Sequence, residues 1–517
     1  MDFKKMIVII VAVCLLIGIS VYLKQPPEPI LPPEEDSATQ IFLSDDAITV
    51  DGNAVSRDSS APVYVANDIV YYLSGQDFTY GEGTDADSHS QSAADAHTVL
   101  HITKAGQYVL TGKLSQGQIA VDLGEDAADN PEAVVTLVLN GVDITATVAP
   151  GILFYNVYEC ANKDENKAAM NVDTTSAGAN IVIQDGTHNV VNGSYVAKIY
   201  ESVELSEDGT QIEDSSTLHK YDGAFYSKMS MNIYGGREND GVLEIHGENE
   251  GLGSELHLTQ YGGNLKIFSG NDGINTNEDN VSVAAFLGGS VEIHVTGATG
   301  EGDGIDSNGY LLVDGGNVTA YACGFSGDFG VDADLGVAVR SGSLIATGNM
   351  LNIISANPNS LLFSFDKTQK GGQTYSVKNE ILPESDVICT PSNDFQYLYI
   401  VSDNLKMGTY SLWLGDTQLK LKEGVVNNGG TPGGMNPPEM PEGEMPEGMN
   451  PPEKPEGEMP EGMNPPEKPG GERPTPPENG NPQEKPSIPP TGTVDTEDLQ
   501  TTFFVTVGPL TFYVVTP

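Results

Sequence analysis

The sequence has few basic residues, few cysteines and no long helical pattern, and each shortage excludes a class of protein. Its 517 residues carry 24 lysines and arginines against 73 aspartates and glutamates, a formal net charge of −49. A basic face for the phosphate backbone of nucleic acid is therefore excluded. The four cysteines, Cys14, Cys160, Cys323 and Cys389, have the spacing of neither a disulfide framework nor a zinc site.

Catalytic motifs are also lacking. The eight histidines form no HExxH run, and a pair of carboxylates carries no signal in a chain with 73 acidic residues. A lyase acting on uronates needs a base, often Arg or Lys, but neither Arg237 nor Arg340 belongs to a recognisable motif. No catalytic residue is predicted, and a polysaccharide lyase stays open as an alternative to a non-enzymatic function.

The N-terminus has the pattern of an export segment. Lys4 and Lys5 precede an apolar run from Met6 to Leu23, and Lys24 then begins a proline-rich stretch. A basic flank before about 18 apolar residues is typical of a signal peptide or a membrane anchor, and cleavage stays open. We therefore expect residues 1–24 to contact the membrane, and the rest of the chain to lie outside the cell, secreted or on a bacterial surface.

Composition divides the remaining chain into four predicted parts. Residues 25–60 are a linker, 61–425 a β-rich domain, 428–492 a Pro/Glu/Gly/Met repeat, and 493–517 a C-terminal β segment. The hexamer Gly-Met-Asn-Pro-Pro-Glu recurs with a strict spacing of 14 residues in the third part, which holds 19 of the 32 prolines. Such a segment cannot bury a core and is predicted to be disordered or extended.

The β-rich part contains a repeat. An acidic residue followed by glycine and, in most copies, an apolar residue recurs at Asp222, Glu250, Asp272, Asp303 and, degenerately, Asp328, with spacings of 28, 22, 31 and 25 residues. Pairs of short strands around Gly-Gly or Ser-Gly stand between the copies. Units this short bury their apolar faces only by stacking, so the pattern predicts an all-β right-handed parallel β-helix, a solenoid. A β-sandwich is the alternative.

Two strings carry a resemblance to a known family. These are Gly302-Asp303-Gly304-Ile305-Asp306-Ser307-Asn308-Gly309 and, upstream, Ile102-Thr103-Lys104-Ala105-Gly106-Gln107-Tyr108-Val109. Over residues 95–415 the chain resembles bacterial secreted carbohydrate-binding proteins that have a pectate-lyase-like, right-handed parallel β-helix and bound calcium. The resemblance implies binding of a plant-type or cell-wall polysaccharide, acidic or cellulosic, without established catalysis. The insertion Lys198–Lys220 and the phenylalanine at Phe329 depart from the pattern.

The acidic turns are candidate calcium ligands. Residues two apart point to one side of an extended segment, and stacked strands lie about 4.8 Å apart, so carboxylates in register could share a cation. Calcium prefers six to eight oxygen ligands. The predicted ligands are Asp272, Asn275, Asn277, Asp303, Asp306, Asn308, Asp332 and Asp334, with Glu278, Asp279 and Glu301 as weaker candidates. The alternative is ordinary turns in which Asp and Asn bond the local backbone.

Aromatic rings can stack on the C–H faces of sugars. Tyr221, Tyr226 and Tyr261 are the candidate carbohydrate-binding residues, although packing in the core explains many such rings. The single tryptophan, Trp413, is predicted to lie in the core. The chain is expected to be a monomer that binds polysaccharide without catalysis. The alternatives are a calcium-dependent, pectate-type lyase and a surface adhesin or structural protein whose repeat makes the contacts.

Overall fold

The structure, a computed structural model, describes residues 38–352, 354–423, 499–505 and 510–516. The only α-helix in these residues is α1 (Gln91–Asp95), where the Ser90 hydroxyl caps the first turn by accepting from the Ala93 amide at 3.2 Å. Four single-turn 3₁₀ helices accompany it: Asp85–Asp87, Glu125–Asp129, Glu165–Lys167 and Pro383–Ser385.

The first twelve strands alternate with short turns. They are β1 (Thr39–Leu43), β2 (Thr49–Val50), β3 (Asn53–Ala54), β4 (Val63–Ala66), β5 (Gly81–Glu82), β6 (Thr98–Ile102), β7 (Gly106–Leu114), β8 (Gly117–Asp122), β9 (Val135–Thr145), β10 (Ile152–Asn156), β11 (Ala179–Ile183) and β12 (His188–Gly193). Strands β1–β3 fall inside residues 25–60, the segment predicted as a linker, and β1 pairs with β7.

The next twelve strands contain the acidic repeat. They are β13 (Val196–Leu205), β14 (Ile212–Tyr221), β15 (Gly223–Ser227), β16 (Met231–Gly235), β17 (Val242–Gly247), β18 (Glu250–Ser254), β19 (His257–Gln260), β20 (Asn264–Ser269), β21 (Ile274–Thr276), β22 (Val283–Phe286), β23 (Ser290–Val295) and β24 (Ile305–Ser307). Strands β13 and β14 form an antiparallel hairpin, which is the irregular insertion noted in the sequence.

The last twelve strands include the longest ones. They are β25 (Tyr310–Tyr321), β26 (Gly336–Gly348), β27 (Ile354–Ala356), β28 (Asn359–Gln369), β29 (Tyr375–Asn379), β30 (Val387–Cys389), β31 (Phe395–Ser402), β32 (Gly408–Leu414), β33 (Thr417–Gln418), β34 (Lys420–Glu423), β35 (Phe503–Val505) and β36 (Thr511–Thr516). The backbones of Leu421 and Gln500 exchange two hydrogen bonds, of 2.7 and 2.8 Å.

Three ladders surround the main core, and they are parallel except where β4 pairs antiparallel with β6. Ladder one contains ten parallel strands: β1, β7, β9, β11, β16, β19, β22, β25, β26 and β27. Ladder two contains the second halves of β7, β9, β25 and β26 together with β12, β17, β20 and β23. Ladder three is an eight-stranded sheet in the order β24, β21, β18, β15, β10, β8, β6 and β4.

Alternating side chains explain why the strands pack this way. In ladder two, Leu243, Leu265 and Val291 pair in register across three strands and point into the core. The residues next to each of them along its own strand face outward. One cluster of buried apolar side chains runs between the ladders from Ile41 to Phe512. A second cluster lies under the C-terminal sheet, which contains β29, β30, β32, β33 and β35.

The predicted fold class, an open solenoid of the right-handed parallel β-helix type, is wrong, although the all-β composition is confirmed. The ten parallel strands of ladder one belong to one 20-stranded sheet that closes around the core. The physical reason lies in the glycine pairs, which the sequence analysis interpreted as turns between strands. At Gly315-Gly316 the strand β25 continues through a register shift, so ladders one and two are joined.

No helix in residues 38–352 and the other described ranges is long and apolar enough to cross a membrane. The predicted anchor or signal helix, residues 1–24, and the repeat, residues 428–492, both lie outside the described residues.

Candidate functional site

The acidic repeat builds the last strands of ladder three. Leu252, Ile274 and Ile305 pair in register across β18, β21 and β24, and all three are fully buried in the core. The next residue along each strand points the opposite way, so Asn275 and Asp306 lie side by side on the outer face. The motif therefore places its apolar residue inward and its polar residue outward.

Aspartates at the motif's first position connect neighbouring strands. Asp272 Oδ1 accepts a hydrogen bond from the Asp303 amide at 2.7 Å, and Asp303 Oδ1 accepts one from the Phe329 amide at 2.7 Å. Asp328 Oδ2 accepts from the Gly302 amide at 2.7 Å. Each carboxylate thus uses one oxygen to bind the backbone of an adjacent segment, which stabilises the stacking of the strands.

Burial raises the pKa of three aspartates of the repeat, Asp272, Asp303 and Asp306. The pKa of Asp272 rises to about 7, that of Asp303 to about 9 and that of Asp306 to about 6. Burial is the largest cause in all three, and neighbouring carboxylates raise the pKa further. Ionising the whole group at neutral pH is therefore costly unless a cation compensates the charge.

The most unusual pair on this face is Glu250 with Asn275. Glu250 is 5% exposed, and Asn275 Nδ2 donates to its Oε1 at 2.9 Å. The other two oxygens of the pair, Glu250 Oε2 and Asn275 Oδ1, are buried without a hydrogen-bond partner among the described residues. Burial raises the pKa of Glu250 well above its usual value, and the charges of Asp222 and Asp272 add to the rise.

Two buried acceptors without a donor require an added positive charge or an added donor. A proton on Glu250 Oε2 would make that oxygen a donor. A bound cation would instead use the oxygens as ligands. Carboxylate and amide oxygens are ligands that calcium prefers, but calcium takes six to eight of them and this pair supplies two.

Lysine and tyrosine groups complete the surroundings of Glu250. Lys220 Nζ lies 3.1 Å from Asp222 Oδ2, on the hairpin end that enters β15. The Tyr226 hydroxyl donates to Glu255 Oε1 and accepts from Asn277 Nδ2, the latter at 3.4 Å. We call this group, Lys220, Asp222, Tyr226, Glu250, Glu255, Asn275 and Asn277, the acidic face.

The remaining predicted ligands lie beyond the acidic face. Asn308 Nδ2 donates to the Asn277 carbonyl at 2.8 Å and to Asp279 Oδ1 at 2.7 Å. Asp332 Oδ1 accepts from the Ala333 amide at 2.7 Å and from Asn352, and the side chain of Asp334 is exposed. Within the ranges that the structure covers, no group of three or more His, Cys, Asp or Glu residues is arranged to hold a metal ion.

The three tyrosines predicted to bind sugar differ in exposure. Tyr221 is 2% exposed and Tyr226 is fully buried, so neither presents a ring face to solvent. Tyr261 is half-buried and stacks on Tyr234 with ring centroids 5.1 Å apart. Tyr226 joins the acidic face through its hydroxyl group, and only Tyr261 keeps part of its ring exposed.

The sequence analysis did not identify Glu250, Glu255 and Lys220 as site residues. A signal for Glu250 was present, because Glu250-Gly251-Leu252 has the same order as Asp272-Gly273-Ile274 and falls in register with it. Lys220 and Glu255 could not be found this way, since the first reaches the face from the hairpin and the second lies just beyond β18.

One comparison with known proteins gives a family match. A family model described as "Carbohydrate-binding domain-containing protein" matches residues 95–379. No curated protein matches the chain. A solved structure, described as a polysaccharide lyase-like protein from C. thermocellum in a gadolinium derivative, is 20% identical, covers 62% of this chain and 97% of its own, and superposes with a TM-score of 0.34.

The matched region spans more than half of the chain and contains ladder three from β6 to β24 together with the acidic face. The chain therefore belongs to the family of carbohydrate-binding domain-containing proteins.

Proposed function

We propose that this chain is an extracellular, cell-surface protein that binds polysaccharide without catalysis, and that the acidic face makes the contact. The observation that carries the proposal is the match to a carbohydrate-binding family over residues 95–379, the region that contains the acidic face. Sugar hydroxyl groups donate and accept hydrogen bonds, so a face of carboxylates, amides and a lysine suits them.

The test is a neutral substitution that keeps the shape of the site. In Glu250→Gln the amide can donate to Asn275 Oδ1, so we expect folding to be retained while sugar affinity falls at least about fivefold, or about 1 kcal/mol. Affinity electrophoresis with polygalacturonate and with soluble cellulose derivatives measures this.

The matched control is Glu292→Gln, because the Glu292 side chain is 50% exposed and lies on ladder two, away from the acidic face. It should bind as the unmodified protein does. Equal binding by Glu250→Gln and Glu292→Gln would contradict a role for the acidic face.

Calcium is the cation that we propose for this face. The supporting observations are the raised pKa values of Asp272, Asp303 and Asp306 and the free oxygens of Glu250 and Asn275. A cation that binds the folded chain stabilises it by mass action. We expect melting curves to shift a few degrees lower when a chelator is added and to recover with excess calcium. Identical curves, with no metal in protein purified without chelator, would remove calcium from the proposal.

A polysaccharide lyase is the second candidate, and one observation favours it. Lys228 Nζ lies 4.5 Å above the ring of Tyr155, and burial lowers the pKa of this lysine, as a base that removes a carbon-bound proton requires. Release of unsaturated oligouronides, lost in Lys228→Ala, would establish this activity. Their absence across a range of pH and calcium concentrations would leave binding as the function.

A further inference from the structure

The outer face of the C-terminal sheet carries a group of side chains that the acidic face does not use. Ile388, Ser376, Trp413 and Gln418 form one row across β30, β29, β32 and β33. Lys378 and Ser411 form the next row, and Phe504 on β35 lies beside Thr409. We call Ser376, Lys378, Ile388, Trp413 and Phe504 the C-terminal platform.

The apolar side chains of the platform are at least partly open to solvent, whereas Ser376 beneath them is 7% exposed. Ile388 is 63% exposed and Phe504 is 53% exposed, and Trp413 is only half-buried. The residues that alternate with them, such as Tyr410 and Leu412, point into the core beneath. The predicted core position of Trp413 is therefore wrong, because the odd-numbered residues of β32 face outward. Clusters of exposed apolar side chains of this kind mark contact surfaces.

A single positive charge lies on this platform. Lys378 Nζ is 4.5 Å from the centre of the Trp413 ring. It takes part in none of the ion pairs formed by residues 38–423 and the C-terminal described strands. In a chain with 73 acidic residues against 24 basic ones, an unpaired ammonium beside an exposed indole is complementary to an anionic ligand with an apolar face.

We propose that the C-terminal platform is a second sugar-contacting surface and that its ligand is an acidic polysaccharide. A uronic acid unit is complementary to both features of the platform. Its C–H face can stack on the indole of Trp413, and its carboxylate can pair with Lys378. Three of the five platform residues, Ile388, Trp413 and Phe504, lie outside the family match at residues 95–379. The inference rests on the proposed polysaccharide-binding function but assigns a different surface.

Trp413 is the only tryptophan in the chain, so tryptophan fluorescence of the full-length protein reports on this platform alone. We expect oligogalacturonides to change the emission saturably. Lys378→Gln should weaken that response at least about fivefold at low salt, since a charge-assisted contact is lost. Neutral cello-oligosaccharides should change the tryptophan emission equally in the unmodified protein and in Lys378→Gln.

Trp413→Ala removes the stacking surface and should lower the affinity for oligogalacturonides about tenfold in calorimetry. The matched control is Phe325→Ala, which removes a 66% exposed ring elsewhere and should bind normally. Calorimetric binding that is equal in Trp413→Ala and in the unmodified chain would overturn the proposal.

Two further outcomes separate this platform from the acidic face. In one outcome, the protein is retained on polygalacturonate only when Glu250 is present, and the tryptophan emission does not change. This outcome contradicts sugar binding at the platform and leaves the proposed function intact. An emission change on deleting residues 428–492, without any on adding sugar, overturns it in favour of an internal contact with the repeat. An emission response that persists in Glu250→Gln supports two independent surfaces.

Discussion

The aspartates of the repeat act first as backbone acceptors. Asp272 and Asp303 each bind the amide of a neighbouring segment at 2.7 Å. The sequence analysis left two explanations open, local turns and cation ligands, and the structure adds contacts across strands rather than within one turn. One oxygen of each carboxylate is used in this way. A cation could therefore bind the other oxygen without breaking these backbone hydrogen bonds.

We expect a pH dependence that belongs to Asp303. Its folded pKa of about 9 lies far above the usual value near 4, so folding favours the protonated form. The stabilisation is complete below about pH 4 and is lost as the pH rises toward about 9. In chelator, the melting temperature of the unmodified chain relative to Asp303→Asn should therefore fall between pH 5 and 8.

Asp303→Asn keeps an oxygen that can accept from the Phe329 amide, so the comparison isolates the charge. The two proteins should melt together near pH 4, and excess calcium should reduce their difference at pH 8. A melting difference that does not change with pH would contradict this assignment.

Residue identity alone could predict part of the site. Asn275 and Asp306 were identified as outward ligands because residues of one motif recur in register, and the structure places them side by side. Exposure could not be predicted in the same way. Tyr226 is buried in a cluster with Leu153 and Val196, and half-buried Trp413 pairs with Ser376 on β29, so tertiary contacts set both environments.

At the scale of the strand, glycine is required in the motif because there is no space for a side chain, not because the backbone has a positive φ. Glycine commonly permits a tight turn because it adopts a positive φ at little cost. Gly304 does not have a positive φ, but a Cβ there would meet the Gly330 carbonyl oxygen at 2.4 Å and the Ala320 Cβ at 2.7 Å. Ladder three approaches ladder two so closely at this point that no side chain fits.

Gly304→Ala should therefore destabilise the protein by about 1–3 kcal/mol through overpacking. The matched control is Gly327→Ala, because Gly327 has nothing within 4 Å of an added Cβ and no positive φ. Denaturant unfolding measures both. If the two variants had equal denaturation midpoints, the added methyl group at Gly304 would cost no stability. That result would contradict the close packing described here.

Strand positions were more predictable from sequence than strand connections. Alternation identified runs such as Leu265–Phe268 and Val291–Val295, which fall inside β20 and β23. Closure of the 20-stranded sheet was not predictable, because Gly262-Gly263 separates two strands whereas Gly315-Gly316 bends one. The difference depends on tertiary pairing with β23 and β26 and leaves no local signal.

At the scale of the whole molecule, the adhesin alternative makes the repeat the contact surface. The described strands belong to one unit by their contacts, and the repeat, residues 428–492, lies outside the described residues. If the ladders carry binding, a chain lacking residues 428–492 should retain its polysaccharide affinity within about twofold. Co-sedimentation with cellulose and affinity electrophoresis with polygalacturonate measure this. Loss of binding in a variant that melts normally would favour the adhesin.

The paired backbones of Leu421 and Gln500 bring together the two sides of residues 424–498, which lie outside the described residues. A segment inserted between Leu421 and Gln500 begins and ends at neighbouring positions. Its length therefore has little effect on the stability of the described strands. Gain or loss of whole 14-residue copies, as slippage in repetitive coding sequence produces, is then structurally neutral. Natural variants of this protein should differ in copy number more freely than at any other place.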